Sequence, residues 1–572
     1  MVSDAPPAKR ARAGPGSEGT TGADGADARA LAPAPARRDL YLDTINRSLL
    51  DFDFEKVCSV SLSNVNIYAC LVCGKMFQGR GRRTHAYFHA INEDHRVFMQ
   101  LESARVFVLP DNYEVHDPSL SDIQHLLQLP YTEKQIAQLD APDAPPALDL
   151  HARPYLPGFV GLNNIAKNDA MNVVIQALAH VPPLRNYLIR GGRTRAEAAR
   201  GVADPFAQST ELVRRFATLV RKLWNGRAFK GQVSPHEFLQ EVANASQQRF
   251  RLTEQADPVA FLGWLLNQLH FDLVGGAAAR RRPSIITECF QGDVRMDSQQ
   301  VIVRSGLEDE YVADKLDHDG RRAGGQEDER GNAKFNIDKG TSSAAPLTAE
   351  IKVTHSPFLL LAIDLPPPPV FQDVVAQNII PQVPLAQVLA KYDGVSFQEA
   401  AGSIRRYHLT RLPPYLILHF RRFTKNRFVE ERNPTIINFP THGLDVSDCV
   451  TSDVRATVPT AYNLLANITH EVTPGTVRDN STWRAQVHTR RDGEPVGRRA
   501  PVPDGAQETA EGAQEAAEER WFQMQDLIVE DVNPQMLFLG ESCIQIWERK
   551  DTAQQVERAA DCLRVAPVRR RT

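Results

Sequence analysis

The chain has 572 residues, too many for one hydrophobic core, so two or three domains joined by linkers are expected. Hydrophobic residues make up 42%, charged residues 24%, and the net charge is −4, which excludes a protein that coats nucleic acid by charge alone. No apolar run reaches the roughly 18 residues of a membrane span, and the amino-terminal MVSDAPPAKRARAGPG lacks the apolar stretch of a secretory signal.

Residues 1–38 are Ala, Gly, Pro and charge, and such a composition predicts a disordered arm. Within it, Lys9-Arg10-Ala11-Arg12 is a short basic cluster of the kind used for nuclear import. Residues 39–140 form the next unit, and within it 58–110 alternates short apolar runs with His and Cys. A Pro- and Ala-rich stretch over 141–154 reads as a linker. The larger region, 155–549, opens with helical periodicity in MNVVIQALAHV, NYLIR, ELVRRFATLVRKLW and DPVAFLGWLLNQLHFDLV. Strand-like runs follow: IITECF, RMDSQQVIVRS, FLLLAIDL, YLILHF and IQIWE. Helices first and a mostly antiparallel sheet later give an α+β fold. Two stretches, about 306–348 and 489–520, read as disordered inserts, and 550–572 as a basic-ended tail.

Seven cysteines are spread thinly, and Cys70 and Cys73 form the close pair. That is the arithmetic of a metal site in a reducing compartment, not of a disulfide framework. A CxxC knuckle with two later histidines can close a tetrahedral Cys₂His₂ shell. His85, His89 and His95 follow, and a helix would set His85 and His89 on one face.

Cys58, Ser61, Cys70, Cys73, Gln78, His85, His89 and His95 fall on the spacing of the UBP-type zinc finger of deubiquitinating enzymes, which this segment resembles. The resemblance implies one complete zinc site from Cys70, Cys73, His89 and His95. A second site would use Cys58 and His85, but Ser61 and Gln78 occupy its other positions, so it is expected to hold no metal. Arg80 keeps the position that grips the ubiquitin tail in many relatives. Phe107 replaces the usual Trp of the aromatic clamp, so weak or no tail binding is expected.

GLNNIAKNDAMNVVIQAL, from Gly161 to Leu178, is similar to the Cys box of ubiquitin-specific proteases. It matches at Gly161, Leu162, Asn164, Met171, Asn172, Gln176 and Leu178. Gln255-Ala-Asp257-Pro-Val-Ala-Phe261-Leu262, the run Leu412–Phe423 and the run Tyr462–His470 resemble three further boxes in order. The implied fold is papain-like, with a helical thumb and β-built fingers and palm. No CxxC pair lies in 280–420, so the fingers must hold by packing alone.

The same resemblance places the family's nucleophilic cysteine at Asp169, its base at Thr482 and its orienting group at Gln525, with Asp526 one place later. All three roles of a cysteine protease are then vacant, and only Asn164 remains as an oxyanion-type donor. His488 lies near the expected base. Asp169, at the expected helix start, would serve instead as a helix cap.

The run of boxes, with CLVCGKMFQGRG, VPPLRNY, RKLWN, SPHEFLQ and RFTKN, resembles the inactive ubiquitin-specific-protease homologues of the spliceosomal tri-snRNP. That implies a nuclear scaffold in pre-mRNA splicing, with tri-snRNP proteins as partners, at most peripheral snRNA contact, and no membrane. Two rivals are a ubiquitin-binding adaptor and a hydrolase with a displaced nucleophile.

Overall fold

The computed structural model describes residues 40–550 except 142–145, 192–205, 207–208, 276–281, 301–350, 368–379, 401–402, 426–429, 473–480 and 490–519. The basic cluster at Lys9–Arg12, the body of both expected inserts and the tail after Lys550 lie outside the described residues.

The first unit is built on five antiparallel strands: β1 (Ile67–Cys70), β2 (Met76–Gln78), β3 (Val97–Gln100), β4 (Val106–Val108) and β5 (Tyr113–Val115), in the order β2-β1-β3-β4-β5. Helix α1 (His85–Asn92) crosses one face and buries Ala86 and Ala90. Tyr68, Phe77, Phe98 and Phe107 close the core on that side, while Val97, Met99, Val106 and Val108 face the other. The two sets alternate along each strand, as a sheet covered on both faces requires. Helix α2 (Ser121–Gln128) follows.

The expected linker is partly ordered, since Ala147–Leu148 pairs with Pro154–Tyr155. Asp140, just before it, takes both guanidinium arms of Arg185 at 2.7 and 2.6 Å. Arg185 is buried and lies 4.3 Å over the Trp224 ring.

The second unit has a helical half and a sheet half. The helices are α3 (Asp169–Ala179), α4 (Pro182–Arg190), α5 (Glu211–Leu223), α6 (His236–Ala245), α7 (Pro258–Val274) and α8 (Ile285–Phe290). Every residue of α3 is buried, the condition of a helix at the centre of a domain. The segment IITECF, expected as a strand, is α8. Ser284 and Thr287 form a reciprocal capping box, and Ile285, Ile286, Cys289 and Phe290 share one buried face. β-branched content misled the reading, and the cap decides the outcome.

The sheet half contains β7 (Gly292–Gln300), β8 (Lys352–Phe358), β9 (Leu361–Asp364), β10 (Ser403–Arg411), β11 (Tyr415–Arg421), β12 (Ala461–Val472), β13 (Ser481–His488), β14 (Trp521–Gln525), β15 (Ile528–Val532) and β16 (Glu541–Arg549), after the short β6 (Gly161–Leu162). The main sheet runs β9-β11-β16-β12-β13-β14-β15, antiparallel except where β9 meets β11. One face packs on the helices through Ile417, Ile468, Ala485, Met524 and Ile544. The other carries Leu416, Leu418, Leu464, Trp521 and Trp547. A smaller sheet, led by β8-β7-β10, projects from it and is held by Val294, Phe358 and Tyr407 against the second core.

The finger is seated on α5 and the loop after it. Asp53 accepts from Lys222 Nζ at 2.9 Å and from the Ser234 N–H at 3.0 Å. Asp51 accepts from Lys230 Nζ at 3.1 Å. Phe229 of the larger unit is buried inside the finger's own core. Lys222 also lies near Glu237, and burial among these groups pushes the Lys56 pKa down. Breaking a largely buried pair strands a charge, which costs more than the pair contributes. Lys222→Ala is therefore expected to lower the unfolding free energy by about 2 kcal/mol, measured by denaturant titration, with bound zinc unchanged.

Candidate functional site

Two constellations were singled out in the sequence, and both are assembled in space. In the finger, Cys70 ends β1, Cys73 sits in the turn to β2, His89 lies on α1 and His95 follows it. Their ligand atoms all lie within 4.8 Å of one another. Cys73 Sγ is 3.3 Å from His89 Nε2, which is 3.0 Å from His95 Nδ1. Phe77 stacks on the His89 ring with centroids 4.3 Å apart and fixes its plane. Two thiols and two imidazoles converging at one partly buried point is a donor set that suits Zn²⁺. Among the described residues no other His, Cys, Asp and Glu cluster has such geometry.

Cys58 and His85 do not join that cluster. Ser61 Oγ donates to Gln78 Oε1 at 3.0 Å, and the Ser61 N–H donates to Cys58 Sγ at 3.4 Å. A neutral hydrogen bond thus spans the two weak-ligand positions. Elsewhere in the finger, the Arg80 guanidinium lies 3.9 Å over the Phe107 ring and donates to Asn112 Oδ1 at 2.7 Å. Phe107 itself is buried.

In the larger unit, α3 begins at Asp169 against the start of β13. Asn168, not Asp169, occupies the cap position, and its side chain makes no capping bond. This corrects the expectation that Asp169 is the cap. The Asn168 amide turns back instead. Its Oδ1 accepts from the Ile165 N–H at 2.7 Å, and its Nδ2 donates to Asn163 O and to Asn172 Oδ1 at 3.1 and 2.9 Å. The Asp169 carboxylate accepts from Gln255 Nε2 at 3.0 and 3.3 Å. The N–H groups of Ala170 and Trp483 also face it. Burial raises its pKa, and the charge of Asp526 adds to the rise.

Asp526 is the residue that the sequence placed one step aside. It stands at the β14–β15 turn in a left-handed conformation, φ 50°. Its Oδ2 accepts from Asn164 Nδ2 at 3.1 Å and its Oδ1 from Asn172 Nδ2 at 3.2 Å. Its carbonyl accepts from the Leu162 N–H at 2.8 Å. A Cβ on Gly161 would come within 2.6 Å of Leu527 Cα, so glycine is needed for this approach. Asn164, the expected oxyanion donor, is therefore bonded to a carboxylate, and its Oδ1 accepts from the Asn168 N–H at 3.2 Å.

Thr482 lies on β13 opposite Glu471. Gln525 Oε1 accepts from Arg484 Nε at 2.9 Å, and Arg484 pairs with Glu471. None of these bonds joins Thr482 or Gln525 to Asp169. His488 is at the other end of β13, against Trp521, and lines a small cavity together with His180. Asn164, Asn168, Asp169, Asn172, Gln255 and Asp526 thus make up the polar cluster. Asn172 and Gln255 had been matched only as pattern positions.

The cysteines of this unit lie elsewhere. Cys289, Cys449 and Cys543 are buried, and burial pushes the latter two up to about 12 and Cys289 well above its usual value. A thiol so placed is not a thiolate near neutral pH. Cys562 lies outside the described residues.

Comparison with known proteins agrees with this layout. Residues 160–547 match the family model described as ubiquitin carboxyl-terminal hydrolase, and residues 58–120 match the zinc finger in ubiquitin-hydrolases and other proteins. The probable mRNA-splicing protein ubp10 of Schizosaccharomyces pombe is 41% identical over 517 residues, 90% of this chain and 88% of its own length. Ubiquitin carboxyl-terminal hydrolase 39 of Homo sapiens is 40% identical over 526 residues, 91% of this chain and 81% of its own. A crystal structure of an essential yeast splicing factor superposes with a TM-score of 0.61 at 25% identity, covering 89% of this chain and all of that one.

Two outcomes follow. A carboxylate whose pKa is raised on folding destabilises the fold progressively as pH rises through that pKa. Asp169→Asn should then remove this contribution, so that its melting temperature relative to wild type is lower in acid than at neutral pH, as read from melting curves across pH. Purified protein should carry one zinc, measured by metal analysis. Chelation should abolish hydrogen-exchange protection in β1–β4 before it affects β11–β16.

Proposed function

Because this chain belongs to the ubiquitin carboxyl-terminal hydrolase family, we propose that it has kept the fold and given up the chemistry, and acts as a non-catalytic scaffold in pre-mRNA splicing through protein–protein docking. The observation that carries the reading is the state of the polar cluster at the start of α3. A cysteine protease needs a thiolate, a histidine to move its proton and a group to orient that histidine. Here Asp169 stands at the start of the helix, bonded to Gln255, with Asn164 engaged by Asp526. A carboxylate is a far weaker acyl nucleophile than a thiolate, and its adduct with a peptide carbonyl would be an anhydride. The buried thiols at Cys289, Cys449 and Cys543 offer no substitute.

Splicing is supported by the names of the relatives. Beyond ubp10, the pre-mRNA-splicing factor SAD1 of Saccharomyces cerevisiae is 26% identical over 526 residues, 89% of this chain and 93% of its own. In this reading the protein works in the nucleus, and its partners are proteins of the tri-snRNP. One structural zinc, held by Cys70, Cys73, His89 and His95, stabilises the finger. Arg80 lies over Phe107 and donates to Asn112, which supports weak or no binding of ubiquitin by the finger.

Restoring the nucleophile alone should restore nothing. Asp169→Cys is expected to cleave a fluorogenic ubiquitin carboxyl-terminal amide no faster than the wild-type chain. Measurable turnover by that variant would overturn the non-catalytic reading. Co-sedimentation of the full chain with tri-snRNP from nuclear extract tests the partner class.

A further inference from the structure

The loop over residues 58–66 carries two members of the incomplete second ligand set, Cys58 and Ser61. It is held at many points. The Cys58 N–H donates to Ser63 O at 2.8 Å, the Leu62 N–H to Cys58 O at 3.0 Å, the Ser59 N–H to Met76 O at 2.8 Å, and the Gly79 N–H to Asn66 O at 2.9 Å. The Ser61–Gln78 bond ties its crown to β2. So fastened, the loop turns three apolar side chains outward. Val60, Leu62 and Val65 are 62%, 77% and 65% exposed.

Scattered apolar residues on a surface are ordinary, but three within six residues on a fixed loop make a patch of the kind used in contacts. Leu62 is also in the left-handed region at φ 56°, where glycine or asparagine would be less strained. A leucine there, most of it in solvent, gains nothing for the fold. The composition is informative too. From Val57 to Gly74 there is no Asp, Glu, Lys or Arg, in a chain that is 24% charged.

We propose that Val60, Leu62 and Val65 form a docking knob that enters an uncharged apolar pocket on a protein partner, with the Ser61–Gln78 hydrogen bond as its mount. The proposal rests on the docking reading of the preceding subsection and names a surface for it. The charge-free run decides the partner's chemistry. An RNA backbone or an acidic peptide would call for Lys or Arg in the contact, and the run supplies none. An apolar pocket needs no charge and rewards a loop already ordered, because little conformational freedom is lost on binding. The positions where the second ligand set fails acquire a role in this account. A neutral bond replaces the metal as cross-link and brings no charge to the contact.

The test uses the full-length chain with Val60→Ser, Leu62→Ser and Val65→Ser combined. Zinc content and melting temperature should match the wild type, since all three side chains are in solvent. Co-sedimentation with tri-snRNP should fall about tenfold or more, and raising the salt severalfold should leave that ratio unchanged. A photo-crosslinking residue introduced as Leu62→benzoylphenylalanine should yield an adduct with a protein of the particle. Ser61→Ala with Gln78→Ala, which leaves the knob intact but loosens its mount, should weaken association by a smaller factor. Wild-type sedimentation by the triple variant would overturn the proposal, as would adducts confined to RNA or to a second copy of this chain. If the wild-type chain itself does not sediment with the particle, the docking reading falls and the knob falls with it.

Discussion

The larger unit depends on burying one helix whose first turn is polar. Every residue of α3 is inside the protein, and its start brings Asn168, Asp169 and Asn172 in with it. Polar groups taken out of water must find partners or cost a few kcal/mol each. The partners come from three places: the loop 163–166 before the helix, Gln255 ahead of α7, and Asp526 at the β14–β15 turn. This cluster therefore joins the helical half to the sheet half. It sits where the inward face of β13 and β14 meets the helix, so its geometry also fixes how the two halves close on each other.

The same logic of fastening runs through the finger. So small a core, divided between two faces of a five-stranded sheet, buries little surface, and small domains need help from metal or from a neighbour. The converging Cys70, Cys73, His89 and His95 donors suit the first form of help. The neighbour supplies the other: Phe229 completes the finger's core from outside, while Asp51 and Asp53 meet Lys230 and Lys222 at its edge. The finger is thus held in a definite orientation, and surfaces it presents to solvent keep a fixed relation to the larger unit.

Much of this was legible in the sequence, and what was not has physical causes. The long amphipathic helices, the Cys70, Cys73, His89 and His95 set that converges in the finger, and the order of the boxes follow from local patterns: period, spacing and motif. IITECF misled because β-branched content was weighed and the Ser284–Thr287 capping box was not. Asp526 stands one place past the position that the family pattern matches. Its role depends on contacts with Asn164 and Asn172, more than 350 positions earlier, which no local pattern encodes. The row of amides Asn467, Gln486 and Gln523, bonded side by side across β12, β13 and β14, was missed for the same reason. In a strand such residues read as solvent-facing until the neighbour that satisfies them is known.

A working active site keeps some of its polar groups unsatisfied so that a substrate can satisfy them, and that readiness costs stability. At α3 the polar groups are bonded to one another. Asn164 already gives one N–H to Asp526, and Asp526 could turn away from Asn172 only by stranding a buried amide. Asp169 is held by Gln255 and by two backbone N–H groups. Asn172 is the link, since it accepts from Asn168 and donates to Asp526, and its loss alone would strand a donor and an acceptor together. Of the three positions matched to a triad, Asp169 belongs to this interlocked element, while Gln525 is bonded to Arg484 and Thr482 faces Glu471 on the neighbouring strand. A single new thiol at position 169 would enter a site whose other groups are already engaged with each other.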